Sequence, residues 1–235
     1  MKKNAIIIGG TSGIGLHTAR YLRDAGYKVL IGGRNAPEDE SGIDYLKIDV
    51  TNESSIEQFF CSIPFQQIDS MIYAVGITTN KKNIQDFDKK KYQRVHDVNL
   101  LGAMLTFKHA YNLLKKAKGR VVVVNSMASR TYSQLSGFEY TATKAGLSGL
   151  VRQLAIEWAN DTVLINTIFP SMVETPMLSE NVAPSVLESI KGEIPLRRVA
   201  TPKDIVSVIE FLISDKNTYI TGSGIDINGG QFLSG

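Results

Sequence analysis

Hydrophobic positions along the chain fall into short continuous runs, separated by longer stretches in which apolar residues recur every third or fourth position. The short runs, at 5–8, 27–31, 45–48, 68–75, 120–125, 164–169 and 224–227, are rich in branched residues, and most do not alternate with polar ones. Strands covered on both faces carry that pattern, because helices roof a parallel sheet above and below. Helical spacing marks the stretches 14–25, 54–62, 89–116, 140–158 and 202–214. Thr201-Pro202-Lys203-Asp204 makes a good start for the last of these, with a threonine to cap and a proline for the first turn. Strand–helix–strand alternation predicts an α/β fold, a doubly wound parallel sheet of about seven strands with helices on both faces. No repeat, linker or composition break divides the chain, so residues 1–235 are expected to form one domain.

Composition narrows the function classes. With 235 residues, 43% hydrophobic and 21% charged, the chain can bury a full core, which argues against disorder. No apolar run approaches the roughly 18 residues that cross a bilayer. Lys2 and Lys3 ahead of the run 5–8 look like the opening of a signal peptide, but glycines interrupt the run at once. A cytoplasmic protein without membrane contact is expected. A net charge of +3 with no basic stripe gives no reason to expect a nucleic-acid partner. The single cysteine, Cys61, excludes an internal disulfide, and His17, His96 and His109 lie too far apart to suggest a metal site.

The first run leads into Gly9-Gly10-Thr11-Ser12-Gly13-Ile14-Gly15 and then a helix. A dinucleotide pyrophosphate needs backbone N–H groups at a helix start and no side chain in the way. At the first turn of a parallel sheet these glycines read as a phosphate loop of a Rossmann-type fold, although any tight strand-to-helix turn can use glycine. After the second run stands Gly32-Gly33-Arg34-Asn35, with no carboxylate before Glu38 to accept a ribose 2′-hydroxyl. Arg34 can instead clamp a 2′-phosphate, so NADP (NADPH/NADP+) is expected rather than NAD; the plain alternative is an exposed loop arginine.

Tyr140 and Lys144 stand one helical turn apart, on one face. A phenol with a pKa near 10 is a poor acid–base group at neutral pH, and a neighbouring lysine cation draws that pKa downward. The spacing alone is common: Tyr111 and Lys115 repeat it late in a helix before a strand, where a surface pair is expected. Context separates the two, since the run 120–125 ends at Ser126, on the sheet edge where ligands bind.

Taken in order, these residues resemble the short-chain dehydrogenases/reductases over residues 9–230. The resemblance rests on the glycine loop, Asp49-Val50, Asn99, Ser126, Tyr140 with Lys144, Asn166 to Pro170, Thr175, Tyr219-Ile220-Thr221-Gly222 and Asn228-Gly229-Gly230. It implies that Tyr140 protonates a carbonyl oxygen as a nicotinamide delivers hydride, while Ser126 hydrogen-bonds that oxygen. Lys144 binds the nicotinamide ribose and lowers the tyrosine pKa, and Asn99 holds a water leading from Lys144 to solvent. Asp49 and the Val50 backbone take the adenine, and Thr175 with the Val173 backbone takes the carboxamide. By the same resemblance Gly9, Thr11, Ser12, Gly13, Ile14, Gly15, Arg34, Ala74, Gly76 and Pro170 border the cofactor. The chain also departs from the family. Ile8 replaces a turn threonine, Tyr73-Ala74-Val75-Gly76 replaces Asn-Asn-Ala-Gly, and Ser171 follows Pro170 in place of glycine.

The segment 176–195 corresponds to the family's substrate lid. Met177, Leu178, Val182, Val186, Leu187 and Ile190 give it an apolar face that either packs on its own domain or walls the substrate. Tyr132, Leu135 and Phe138 lie near the expected site. Size, lid and tail resemble most the 3-oxoacyl-[acyl-carrier-protein] reductases, which implies reduction of a carrier-bound 3-oxoacyl thioester. Lys115, Lys116, Lys118, Arg120 and Arg130 offer a basic dock for an acidic acyl carrier protein, or are simply solvated helix ends. A free small ketone is the alternative substrate, and a non-catalytic NADP sensor the alternative function. The related nucleotide-sugar epimerases need a second domain for which there is no room. The resemblance also implies a homotetramer or dimer, built through the two long helices and the C-terminal segment. Tyr111, Leu150, Leu154 and Trp158 are then interface or core.

Overall fold

All seven predicted strands form, and they join one parallel sheet. In the computed structural model, which describes residues 2–38, 40–80 and 83–233 without the side chains of Met177, Glu180 and Asn181, they are β1 (Asn4–Ile8), β2 (Lys28–Gly33), β3 (Ile43–Lys47), β4 (Ser70–Tyr73), β5 (Arg120–Val124), β6 (Leu164–Pro170) and β7 (Gly224–Ile227). Their spatial order is β3-β2-β1-β4-β5-β6-β7, and every neighbouring pair is parallel. The order reverses between β1 and β4, which opens a crevice beyond the carboxyl ends of those strands.

The non-alternating pattern of the strands is explained by two separate cores. Ile6 and Ile8 of β1 pack with Leu30, Phe59, Phe107 and Trp158 on one face of the sheet. Ala5 and Ile7 pack with Leu22, Ile31, Ile209 and Leu212 on the other. Each fully buried isoleucine contributes about 1.5–3 kcal/mol. Trp158 is 2% exposed and belongs to this chain's own core, with Tyr111, Leu150 and Leu154 half-buried against it.

Among the described residues eight α-helices accompany the sheet: α1 (Gly13–Asp24), α2 (Glu53–Ser62), α3 (Lys89–His96), α4 (Gly102–Ala117), α5 (Phe138–Trp158), α6 (Pro176–Asn181), α7 (Pro184–Glu193) and α8 (Pro202–Ile213). Thr201 caps α8 as predicted. Its side chain accepts from the Asp204 N–H, and the Asp204 carboxylate accepts from the Thr201 N–H at 2.7 Å. One expectation is corrected: the stretch 89–116 is not a single helix. A π-helical turn over Asp97–Leu101 separates α3 from α4, and it carries Asn99. Such a turn closes i→i+5 hydrogen bonds and inserts one extra residue into the helix. The family departures are absorbed by the core, since Ile8 and Tyr73 are fully buried and the Tyr73 ring packs on Phe107 at 5.4 Å. No helix among the described residues is long and apolar enough to cross a membrane.

Candidate active site

The turn between β1 and α1 is built from backbone. Gly9 has φ +82°, and a Cβ there would lie 2.7 Å from the Ala74 carbonyl oxygen, so only glycine fits between β1 and β4. Ser12 occupies the cap position of α1 without a side-chain cap bond, and no acidic residue stands in the first turn. The helix therefore begins with N–H groups free to receive an anion. Asp49, past the end of β3, accepts through Oδ1 from the Thr51 N–H at 3.0 Å and the Thr51 hydroxyl at 2.7 Å. Those two bonds, the backbone one first, hold its carboxyl below the usual range, and Oδ2 has no partner among the described residues. Arg34 is exposed on the rim, makes no ion pair among the described residues, and adds its charge to the lowering of the Asp49 pKa.

Ser126 follows β5 and opens a short turn, its hydroxyl accepting from the Ala128 N–H at 3.2 Å. Tyr140 and Lys144 descend from the first turns of α5 beside it. Asn125 fixes that helix to the strand end through bonds to the Lys144 carbonyl at 3.0 Å and the Ser148 hydroxyl at 2.9 Å. Lys144 is buried, its Nζ donating to the Val124 carbonyl at 3.3 Å and lying 5.8 Å from the Tyr140 ring centre. Burial depresses its pKa to about 8. Burial also raises the Tyr140 pKa, and a hydrogen bond with Ser126 offsets only part of this. The direction differs from the expectation that Lys144 lowers the phenol; desolvation is the larger effect here. Tyr140 thus keeps its proton at neutral pH, the form that a general acid needs.

Gly76 lets the lysine pass, since a Cβ there would stand 3.1 Å from Nζ. Asn99 lies behind it, fully buried. Its amide accepts from the Ile77 N–H at 2.8 Å and donates to the Ile77 carbonyl at 2.9 Å and the Thr143 hydroxyl at 3.2 Å. The side chain therefore ties the loop after β4 to α5.

A cleft of about 950 Å³ runs over the strand ends, large enough for a dinucleotide with a substrate beside it. Gly9, Thr11, Ser12, Gly13, Ile14, Gly15, Arg34, Asp49, Val50, Ala74 and Gly76 line one half, and Ser126, Tyr140, Lys144, Pro170, Val173 and Thr175 lie further along. Of the predicted site residues only Asn99 is off the lining. The uncapped helix start and the cradle that a Cβ would fill fit a nicotinamide dinucleotide, which would supply hydride when bound.

Both readings of the lid hold, and Leu178 serves both, since it lines the cleft and packs against the small apolar cluster. Leu178 and Val182 line the cleft, Leu187 and Ile190 join a small apolar cluster with Ile194 and Val199, and Val186 is exposed. The Met177 side chain lies outside the described ones. Tyr132 and Leu135 face the cleft, whereas the Phe138 ring meets Phe87 instead. Arg94, Asn80 and Gln231 also line it, and no motif marks them in the sequence.

The basic cluster sits elsewhere. Lys115, Lys116, Lys118 and Arg120 occupy the amino edge of β5, a strand length of about 17 Å from the Ser126 edge. Lys115 pairs with Asp161 at 2.8 Å, Arg120 with Asp215 at 3.2 Å and Arg130 with Asp226 at 3.3 Å.

A family model described as enoyl-(acyl carrier protein) reductase matches residues 9–231. A 3-oxoacyl-[acyl-carrier-protein] reductase of Aquifex aeolicus is 31% identical over 244 residues, covering 98% of this chain and 97% of that one. The solved structure of ElxO with NADP bound is similar with a TM-score of 0.90 at 26% identity, over 98% of this chain and 99% of that one. The crystal structure of an NADH-dependent reductase responsible for alginate metabolism gives a TM-score of 0.88 at 26% identity, over 99% of this chain and 98% of that one. With the sheet order, the glycine turn and the Ser126, Tyr140 and Lys144 grouping on one cleft, this match shows that the chain belongs to the short-chain dehydrogenase/reductase family of nicotinamide-dependent oxidoreductases.

Proposed function

We propose that the protein reduces a ketone to a secondary alcohol with NADPH. The observation that carries this reading is the meeting of Ser126, Tyr140 and Lys144 at the carboxyl end of β5, beside the uncapped start of α1. A nicotinamide dinucleotide held over the glycine turn would supply the hydride, and the Tyr140 hydroxyl gives its proton to the carbonyl oxygen. Ser126 donates a hydrogen bond to that oxygen as charge develops on it. Lys144 holds the ribose hydroxyls and supplies positive charge near the phenolate left behind. Arg34 receives the 2′-phosphate of NADPH.

Two substrate readings follow. A 3-oxoacyl thioester, presented by an acyl carrier protein, is supported by the Aquifex relative's activity. A free ketone is favoured by the position of the basic cluster at the sheet edge opposite the site, where Lys115 and Arg120 are also paired with Asp161 and Asp215. Assembly as a dimer or tetramer through α4 and α5 is supported by Met104 and Ile156, exposed on those helices.

The test is cofactor oxidation, followed by absorbance, with NADPH or NADH, acetoacetyl-pantetheine and free ketones. NADPH turnover is expected, with a preference over NADH that falls about tenfold in Arg34→Ser, one charge-assisted contact being lost. Cofactor binding without reduction of any carbonyl compound would point to a sensor instead.

A further inference from the structure

Glu139, beside Tyr140 in the first turn of α5, is fully buried and takes no part in the reaction described above. Its Oε2 accepts from the Thr79 hydroxyl at 3.2 Å, whereas Oε1 is buried with no hydrogen-bond partner among the described residues. A buried carboxyl with one oxygen unpaired costs stability. Groups that break the rules of a satisfied interior concentrate at functional sites. The place of Glu139 therefore calls for a role other than holding the fold together.

The side chain folds back over Gly137, the residue that precedes α5. A Cβ on that glycine would stand 2.3 Å from the Glu139 Oε2 and 2.5 Å from the Thr79 Oγ1, so only glycine leaves room for the contact. The Gly137 N–H donates to the Thr79 carbonyl at 2.8 Å, and the Tyr140 N–H donates to the Gly137 carbonyl at 3.1 Å. Asn80 and Ser136 form an antiparallel bridge beside them. The loop after β4 is thus zipped to the segment before α5, with Glu139 as the pin. Thr79, Asn80, Ser136 and Tyr140 all line the cleft, and Glu139 stands behind them. One turn further along α5, the Thr143 hydroxyl shares its proton between the Glu139 and Tyr140 carbonyl oxygens at 2.9 and 3.0 Å. That hydroxyl also accepts from Asn99, which holds Ile77. Asn99 at Ile77 and Glu139 at Thr79 therefore clasp the same loop to the helix that carries Tyr140.

We infer that Glu139 is a positioning residue for carbonyl reduction. By accepting from Thr79 it fixes the first turn of α5 against residues 77–80, and so sets where the Tyr140 hydroxyl stands in the cleft. A proton passes only when donor and acceptor come within hydrogen-bond reach, and a misplacement of about 1 Å costs on the order of a hundredfold. Apolar side chains at 79 and 139 would fill the same space, but packing alone lacks the direction that a hydrogen bond imposes. Gly137 offers no side-chain cap, so the turn before Tyr140 depends on this bond. The inference rests on the carbonyl-reductase reading and deepens it.

The experiment measures melting temperature, NADPH affinity by fluorescence titration, and kcat per NADPH-binding site with whichever of acetoacetyl-pantetheine and the free ketones the wild type reduces fastest. The variants are Glu139→Gln, Glu139→Met, Thr79→Val and the double Thr79→Val/Glu139→Met. The double variant replaces both partners with apolar groups, so it should melt no lower than the wild type. Its kcat should nonetheless fall about tenfold to a hundredfold, with NADPH affinity unchanged. Each single variant removes the same bond, so the losses of Glu139→Met and Thr79→Val should not multiply in the double. Glu139→Gln keeps an acceptor at the same reach and should recover most of the turnover. An unchanged kcat in Thr79→Val or in the double variant, whatever the melting temperature, overturns the inference and leaves the reductase standing. Losses that multiply, or a Glu139→Gln variant as slow as Glu139→Met, do the same. Where the double variant does not fold, Thr79→Val and Glu139→Gln decide. If the wild type binds NADPH and reduces no ketone, the reductase reading fails and the inference fails with it.

Discussion

The chain contains two Tyr-x-x-x-Lys pairs with identical spacing and opposite surroundings. Tyr140 and Lys144 sit at the carboxyl edge of the sheet, where burial raises the phenol and depresses the ammonium to about 8. Tyr111 and Lys115 sit at the amino edge, where both meet Asp161. The carboxylate raises both of their pKa values, chiefly by accepting a hydrogen bond from each. The Tyr111 ring also stacks on Trp158 at 5.4 Å, which fixes it as packing. The first pair is desolvated and meets no carboxylate among the described residues; the second is bound by one. Reactivity thus lies in the environment and not in the spacing.

The largest effect that can break this comparison is on turnover. Tyr140→Phe removes the proton donor and should lower kcat on the order of 10³-fold, within the range for general acids. Tyr111→Phe should leave kcat unchanged. Equal losses in the two variants would sink the assignment of Tyr140. The lysines should diverge in stability as well as in activity. Lys144 has a folded pKa below its unfolded one, so its charged form is disfavoured in the fold. That penalty is complete below pH 8 and disappears as pH rises from about 8 towards the unfolded value. Lys144→Met should therefore melt higher than wild type at pH 7 while losing activity, whereas Lys115→Met should melt slightly lower and stay active. A fall in melting temperature for both would show that Lys144 is a structural group.

How far this contrast was legible in the sequence depends on what each feature is made of. The sheet was readable because buried parallel strands leave continuous apolar runs, as in residues 5–8 and 120–125. The pocket floor was readable because glycines at 9, 13 and 15, and a tyrosine and lysine one turn apart, are fixed by backbone geometry. The direction of the Tyr140 shift was not, since it is set by the depth of burial of a side chain. The π-helical turn that buries Asn99 was not read either, because the phase shift from one inserted residue is small beside the ordinary irregularity of an amphipathic pattern. Gln231 and Asn80 were silent for a different reason. Loops from distant parts of the chain meet at the cleft, and a polar residue in a loop shows nothing about which surface it will face.

A smaller effect sharpens the contrast through pH. The depressed Lys144 pKa predicts that kcat/KM for ketone reduction falls above about pH 8, approaching tenfold per pH unit, as the free enzyme loses the cation. The phenol does not produce this limb, because its own pKa is raised. In Lys144→Arg the charge persists and the limb should move upward, whatever the absolute rate. A wild-type profile flat through pH 9 would remove the lysine charge from the mechanism.

The smallest effect concerns the other pair. Hydrogen bonds from Lys115 first and Tyr111 second hold the Asp161 carboxyl below its usual range. A carboxylate with a depressed folded pKa contributes stability above its unfolded value, near pH 4, and loses it as pH falls through the folded one. Asp161→Asn keeps an acceptor for Tyr111 but removes the charge that faces Lys115. The variant should melt slightly below wild type at pH 7, and the difference should vanish in acid, with turnover unchanged at both. A loss of turnover in Asp161→Asn would mean that the amino edge of the sheet is coupled to the site at the opposite edge, and that the second pair is more than packing.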